Sequence, residues 1–116
     1  MELSLSGQKF VDSIYKVNPG AYSYIAFTLP CEAKVEGGFA ASDILGNDII
    51  VLVLDDYNFN KFENDQYFTS FYYSSNVKSG GFDLTLQAED YYIVISNQYS
   101  MISTKTVQFQ AVSLCV

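Results

Sequence analysis

The chain has 116 residues, a formal net charge of −7, and neither histidine nor arginine, so all six cations are lysine. That length suits one domain, 1–116, with a real core, and a 49% hydrophobic, 16% aromatic composition is that of a folding chain. Missing histidine excludes Ser-His-Asp and Cys-His chemistry within one chain. Missing arginine removes the bidentate fork for phosphate, and the acidic balance disfavours nucleic acid and anionic membrane surfaces.

Apolar residues recur with period two between short turn signals, which predicts an antiparallel β-sandwich of about eight strands, jelly-roll in type, with at most one short helical turn. Phe10 to Val17 is the first predicted strand. Asn18-Pro19-Gly20 follows as a turn, because proline presets φ and glycine tolerates positive φ. Tyr22 to Leu29 places Ile25, Phe27 and Leu29 on one face, and Pro30 stops it.

Ala33 to Ala41 alternates through Val35, Gly37 and Phe39, with Gly37-Gly38 marking a bulge or a close backbone approach. Ile49 to Leu54 is apolar on both faces and should be the most central strand, with Asp48 and Asp55-Asp56 as charged gatekeepers. At six residues this longest apolar run is far too short to span a bilayer. Tyr57, Phe59 and Phe62 are spaced to pin a helical turn or structured loop over Asp56 to Asp65. Tyr67 to Tyr73 reads as an aromatic strand, Ser74 to Asn76 and Ser79-Gly80-Gly81 as turns. Phe82 to Leu86, Tyr91 to Ile95 and Thr106 to Leu114 complete the strands.

The closing pattern Tyr92, Val94, Ser96-Asn97, Tyr99-Ser100, Lys105, Val107 and Phe109 resembles the C-terminal signature of GOLD (Golgi dynamics) domains. The Asn18-Pro19-Gly20 turn and Gly46-Asn47-Asp48-Ile49 fit that pattern loosely. These sandwich modules occur in cargo receptors of the early secretory pathway and in some lipid-transfer proteins. The resemblance implies the fold and a general role as a protein-interaction module. The coiled coil, membrane span and lipid-binding domain of those proteins have no counterpart here, and Asp55 to Ser75 does not match them. Independently of the family, Asn97 suits local backbone bonding, and Tyr99 suits a buried ring whose hydroxyl ties a loop. Asn97, Tyr99, Ser100 and Lys105 are therefore assigned to a structural corner.

Candidate chemistry is thin. Asp56-x-Asn58-x-Asn60 opens like a calcium loop, but Lys61 and Tyr67 occupy the positions that need glycine and glutamate. Asp55, Asp56, Asn58 and Asp65 stay as weak cation candidates, with a loop-capping polar cluster as the leading reading. No metal and no cofactor is expected. Asp55-Asp56 point to opposite faces of a strand end, and Ser103-Thr104-Lys105 opens an ordinary strand, so no catalytic residue is assigned. Cys31 and Cys115 match no zinc spacing and are read first as two small buried side chains, with one disulfide as the other reading.

Ten tyrosines exceed what so small a core can bury with every hydroxyl satisfied. Tyr67, Tyr72, Tyr73 and Tyr99 are assigned to binding, since tyrosine concentrates where proteins meet partners. The leading expectation is a non-enzymatic module for protein–protein interaction or self-association, a homodimer included. The alternative is a carbohydrate- or calcium-binding sandwich. Met1 to Gln8 lacks a basic region and an apolar core, which reads as cytoplasmic if the chain is complete and secreted if a signal was removed.

Overall fold

A computed structural model describes residues 7–42, 48–98, 100 and 103–116. Its strands are β1 (Gln8–Val17), β2 (Tyr22–Thr28), β3 (Ala33–Ser42), β4 (Ile50–Asp55), β5 (Tyr72–Tyr73), β6 (Ser79–Leu86), β7 (Asp90–Ser96) and β8 (Lys105–Cys115). One helix, α1 (Asp56–Glu63), follows β4. Two antiparallel four-stranded sheets result, β1-β8-β3-β6 and β2-β7-β4-β5, called A and B below. The described residues form an all-β sandwich of eight strands.

Local chemistry accounts for the first connection. Gly20 sits at φ +76° and the Ala21 N–H donates to the Asn18 carbonyl at 3.1 Å, so Pro19-Gly20 makes the turn that its residue types favour. Between the sheets, alternate residues bury Val35 and Phe39 of β3, Val107 and Phe109 of β8, and Val51, Val53, Ile93 and Ile95 of sheet B. The Phe39 and Phe109 rings stack with centroids 5.7 Å apart. Gly37 is required here, because a Cβ at that position would drive into the Phe82 ring. Pairing of β3 with β6 and β8 runs through Gly37-Gly38 without a register shift, so the expected close approach occurs and the bulge does not.

Strand β4 is apolar on both faces because sheet B is covered twice. Its inward residues meet sheet A, while Leu52, Leu54 and Val94 face outward and are buried with Phe59 of α1. The Phe59 ring stacks on Tyr92 at 3.9 Å. Asp55 does not serve as a bare gatekeeper: its Oδ1 accepts the Asn58 N–H at 2.8 Å and caps α1. Hydroxyls then tie the helix down, Tyr92 donating to Asp56 and Tyr22 to Glu63, each at 3.1 Å. The bond to Asp56, foremost, raises the Tyr92 hydroxyl above its ordinary pKa.

Three sequence expectations need correction. Tyr67 to Tyr73 is not a strand, since only Tyr72–Tyr73 pairs with β4 and residues 66–70 run irregularly. Ser79-Gly80-Gly81 is not a turn but the start of β6, where a Cβ on Gly80 would lie 2.9 Å from the Phe39 ring. Cys31 and Cys115 are not two buried thiols. They form a disulfide with Cα atoms 5.8 Å apart, and Cys115 is exposed.

Tyr91 faces the core with its hydroxyl donating to the Gln87 carbonyl at 2.7 Å and to Glu89 at 3.3 Å. Burial, and then the Glu89 carboxylate, pushes its pKa up to about 12 from 10.0. A raised folded-state pKa on an acid means that the neutral form is favoured in the fold. Its contribution to stability is therefore complete below pH 10 and is lost as pH rises to about 12. Melting temperatures followed across that window should fall less steeply for Tyr91→Phe than for the wild type.

Candidate functional site

The outer face of sheet B carries a concavity. β4 supplies its apolar floor through Ile50 and Leu52, and α1 supplies Phe62 at one end. Residues 65–70 form one wall, and β5 with the end of β7 closes the other side through Tyr73, Ser96 and Gln98. The cleft holds about 550 Å³, which is within the range of small-ligand and anchor-residue pockets. Phe68 is held edge-on against Phe62, with ring centroids 5.5 Å apart. This contact, with the Thr69 N–H donating to Asn58 Oδ1 at 3.0 Å, positions the irregular wall.

Two of the four tyrosines assigned to binding meet here. Tyr67 is 85% exposed and Tyr73 59% exposed, so both rings stand at the mouth of the cleft and face solvent. Tyr72 does not join them. Strand alternation turns it inward, where its ring lies 5.1 Å from Phe82 and 6.5 Å from Phe39. Tyr99 lies outside the described residues. Sequence reasoning missed the amide-bearing lining residues Gln66 and Gln98, which no periodicity marks.

A smaller hollow of about 200 Å³ adjoins the cleft and shares Ile50 and Ser96 with it. Asp48, Asn97, Ser100 and Lys105 line it. Asn97 is 2% exposed, and its Nδ2 donates to the carbonyls of Val17 and Ser103 at 2.9 Å each. The amide is thereby oriented, and its Oδ1 has no hydrogen-bond partner. Ser100 Oγ lies 3.4 Å from Ser103 Oγ, and the buried Lys105 ammonium donates to the same Ser103 hydroxyl at 2.7 Å. Ser103 is buried and does not line the hollow, so this Ser–Lys contact does not present a nucleophile to a substrate.

Three of the four residues considered for a cation each accept a hydrogen bond from the protein through one oxygen. Asp55 Oδ1 takes both the main-chain and side-chain nitrogens of Asn58, Asp56 takes Tyr92, and Asn58 Oδ1 takes Thr69. Asp65 stands apart at the cleft wall. No group of three or more Cys, Asp or Glu residues able to hold a metal occurs among the described residues. No helix among them is long and apolar enough to cross a membrane. Compared with known proteins, the chain matches no family model and no curated sequence.

Proposed function

We propose that this chain is a non-enzymatic, GOLD-like β-sandwich module that binds a protein partner through the Tyr67–Tyr73 cleft. One observation carries the reading: two solvent-facing tyrosine rings flank a concave site whose floor is apolar. That arrangement offers rigid aromatic anchors at low entropic cost, the pattern of interface hot spots. The GOLD likeness is supported by the paired four-stranded sheets and by Asn97 at the closing corner. Its compartment, on this reading, is an oxidising one outside the cytoplasm, since a disulfide persists where thiols are not kept reduced.

The double variant Tyr67→Ala/Tyr73→Ala should lose partner capture in affinity pulldown, with binding weakened about 30-fold if one ring acts as a hot spot and further if both do. Its melting temperature should stay close to the wild-type value, because neither ring is buried. Capture unchanged by the double variant would remove the cleft from the interface.

A second reading is favoured by the lining itself. Gln66, Gln98 and Asp65 beside two tyrosine rings can hydrogen-bond and stack on a neutral glycan. Thermal melts against a glycan panel separate the readings, since a bound sugar raises the midpoint by mass action and a non-ligand leaves it in place.

A further inference from the structure

The sandwich has four edge strands, and three are protected against pairing with other chains. β1 carries Lys9, Asp12 and Lys16 and a register shift between Lys9 and Val11. β6 carries Asp83 and opens with Gly80-Gly81, and β5 is only two residues long. These are the devices by which natural sheets blunt their edges. β2 has none of them. Its seven residues, Tyr-Ser-Tyr-Ile-Ala-Phe-Thr, include no charge, proline or glycine and pair with β7 in unbroken register.

On either side of β2, Ala21 accepts from Asn97 and Leu29 donates to Glu89. Alternation then assigns the main-chain groups of Ser23, Ile25 and Phe27 to β7 and turns those of Tyr22, Tyr24, Ala26 and Thr28 away from the sheet. No described residue takes up these outward groups. We propose that β2 is a self-pairing edge, and that its occupant is β2 of a second copy, antiparallel, with the two-fold axis at Ile25.

The side chains favour that occupant. About the axis, Tyr24 of one copy faces Ala26 of the other and Tyr22 faces Thr28, so bulky residues meet small ones on the outer face. Four facing pairs form about eight main-chain hydrogen bonds. Charge points the same way. Each copy carries −7, so two copies approach at least cost along an uncharged strip. Acidic groups stand at both of its ends, where Tyr22 bonds Glu63 and Thr28 bonds Asp90. In the paired register Glu63 of one copy lies toward Asp90 of the other, so added salt tightens this dimer instead of loosening it. A single ladder of this length is a small interface, and a dissociation constant on the order of 10–100 μM is expected.

Sedimentation velocity across that concentration range, at low and high salt, tests the pairing. The wild type should dimerise, more strongly at high salt, and the amides of Tyr24 and Ala26 should gain protection from hydrogen exchange as concentration rises. Ala26→Lys, at an exposed position, should stay monomeric with an unchanged melting temperature, while the control Ala40→Lys on the outer face of sheet A dimerises normally. Tyr67→Ala/Tyr73→Ala should also dimerise, which separates this surface from the cleft. A wild type monomeric throughout at high salt, an Ala26→Lys dimer of undiminished affinity, or a dimer abolished by the tyrosine variant would each overturn the proposal.

Discussion

Replacing Asn97 by leucine should cost about 2–4 kcal/mol and lower the unfolding midpoint in urea without changing the slope. Asn97 follows β7 in sheet B, yet its amide donates to Val17 at the end of β1 in sheet A and to Ser103 in the segment leading into β8 of the same sheet. Removing the amide takes a donor from two buried carbonyls, Ser103 keeping only the 3.4 Å bond from Ser100 Oγ, and an unsatisfied buried group costs roughly 1–3 kcal/mol. Leucine is similar in size, so a cavity does not confound the measurement. Asn97→Asp is the sharper companion, because it places a carboxylate oxygen against two carbonyls. Its cost should exceed that of leucine near neutral pH. A leucine variant as stable as the wild type would show that the two sheets hold together at this end without the link.

The second large effect belongs to the disulfide. Cys31 and Cys115 are 84 positions apart, and their bond pins the end of β8 to the β2–β3 connection. The same end is held by the Val116 N–H donating to the Glu32 carbonyl at 3.0 Å and by the pairing of Ala33 with Cys115. Opening a loop of that length restores conformational freedom to the unfolded chain, which typically costs 2–4 kcal/mol of stability, in a model-dependent balance of entropy and solvation. Cys31→Ser/Cys115→Ser should therefore melt roughly 10 °C lower. Reductant should produce the same fall in the wild type and none in the variant. Equal midpoints with and without reductant would mean that the hydrogen bonds alone secure the end of β8.

Much of this architecture was legible because period two survives wherever one face is buried. β1, β2, β3, β7 and β8 begin or end within two residues of their expected bounds. The errors share a cause, which is that residue type records a constraint without saying what imposes it. Gly80 and Gly81 looked like turn chemistry, but they answer to the Phe39 ring and to the Gly37 carbonyl, neither of which is close in sequence. The aromatic run at 67–73 looked like a strand. Its rings are instead shared between the α1 layer, the core and solvent, with Phe68 on Phe62, Tyr72 on Phe82 and Tyr67 exposed. A surplus of tyrosine was visible in composition. That Tyr67 and Tyr73 share a cleft while Tyr72 turns away could be decided only by the two-residue length of β5 and the parity of its pairing. Cysteine pairing was similarly hidden, since strand register, not spacing, brings the two sulfurs together.

The position of β8 in sheet A governs how the protein must be made. It lies between β1 and β3 and comes last in chain order among the described strands. During synthesis the earlier strands emerge first, and domains generally fold as units. β1 therefore waits without a neighbour among the described strands until β8 has left the ribosome. Nascent chains stalled short of β8 should then remain protease-sensitive, and the molecule should acquire its structure in one late step.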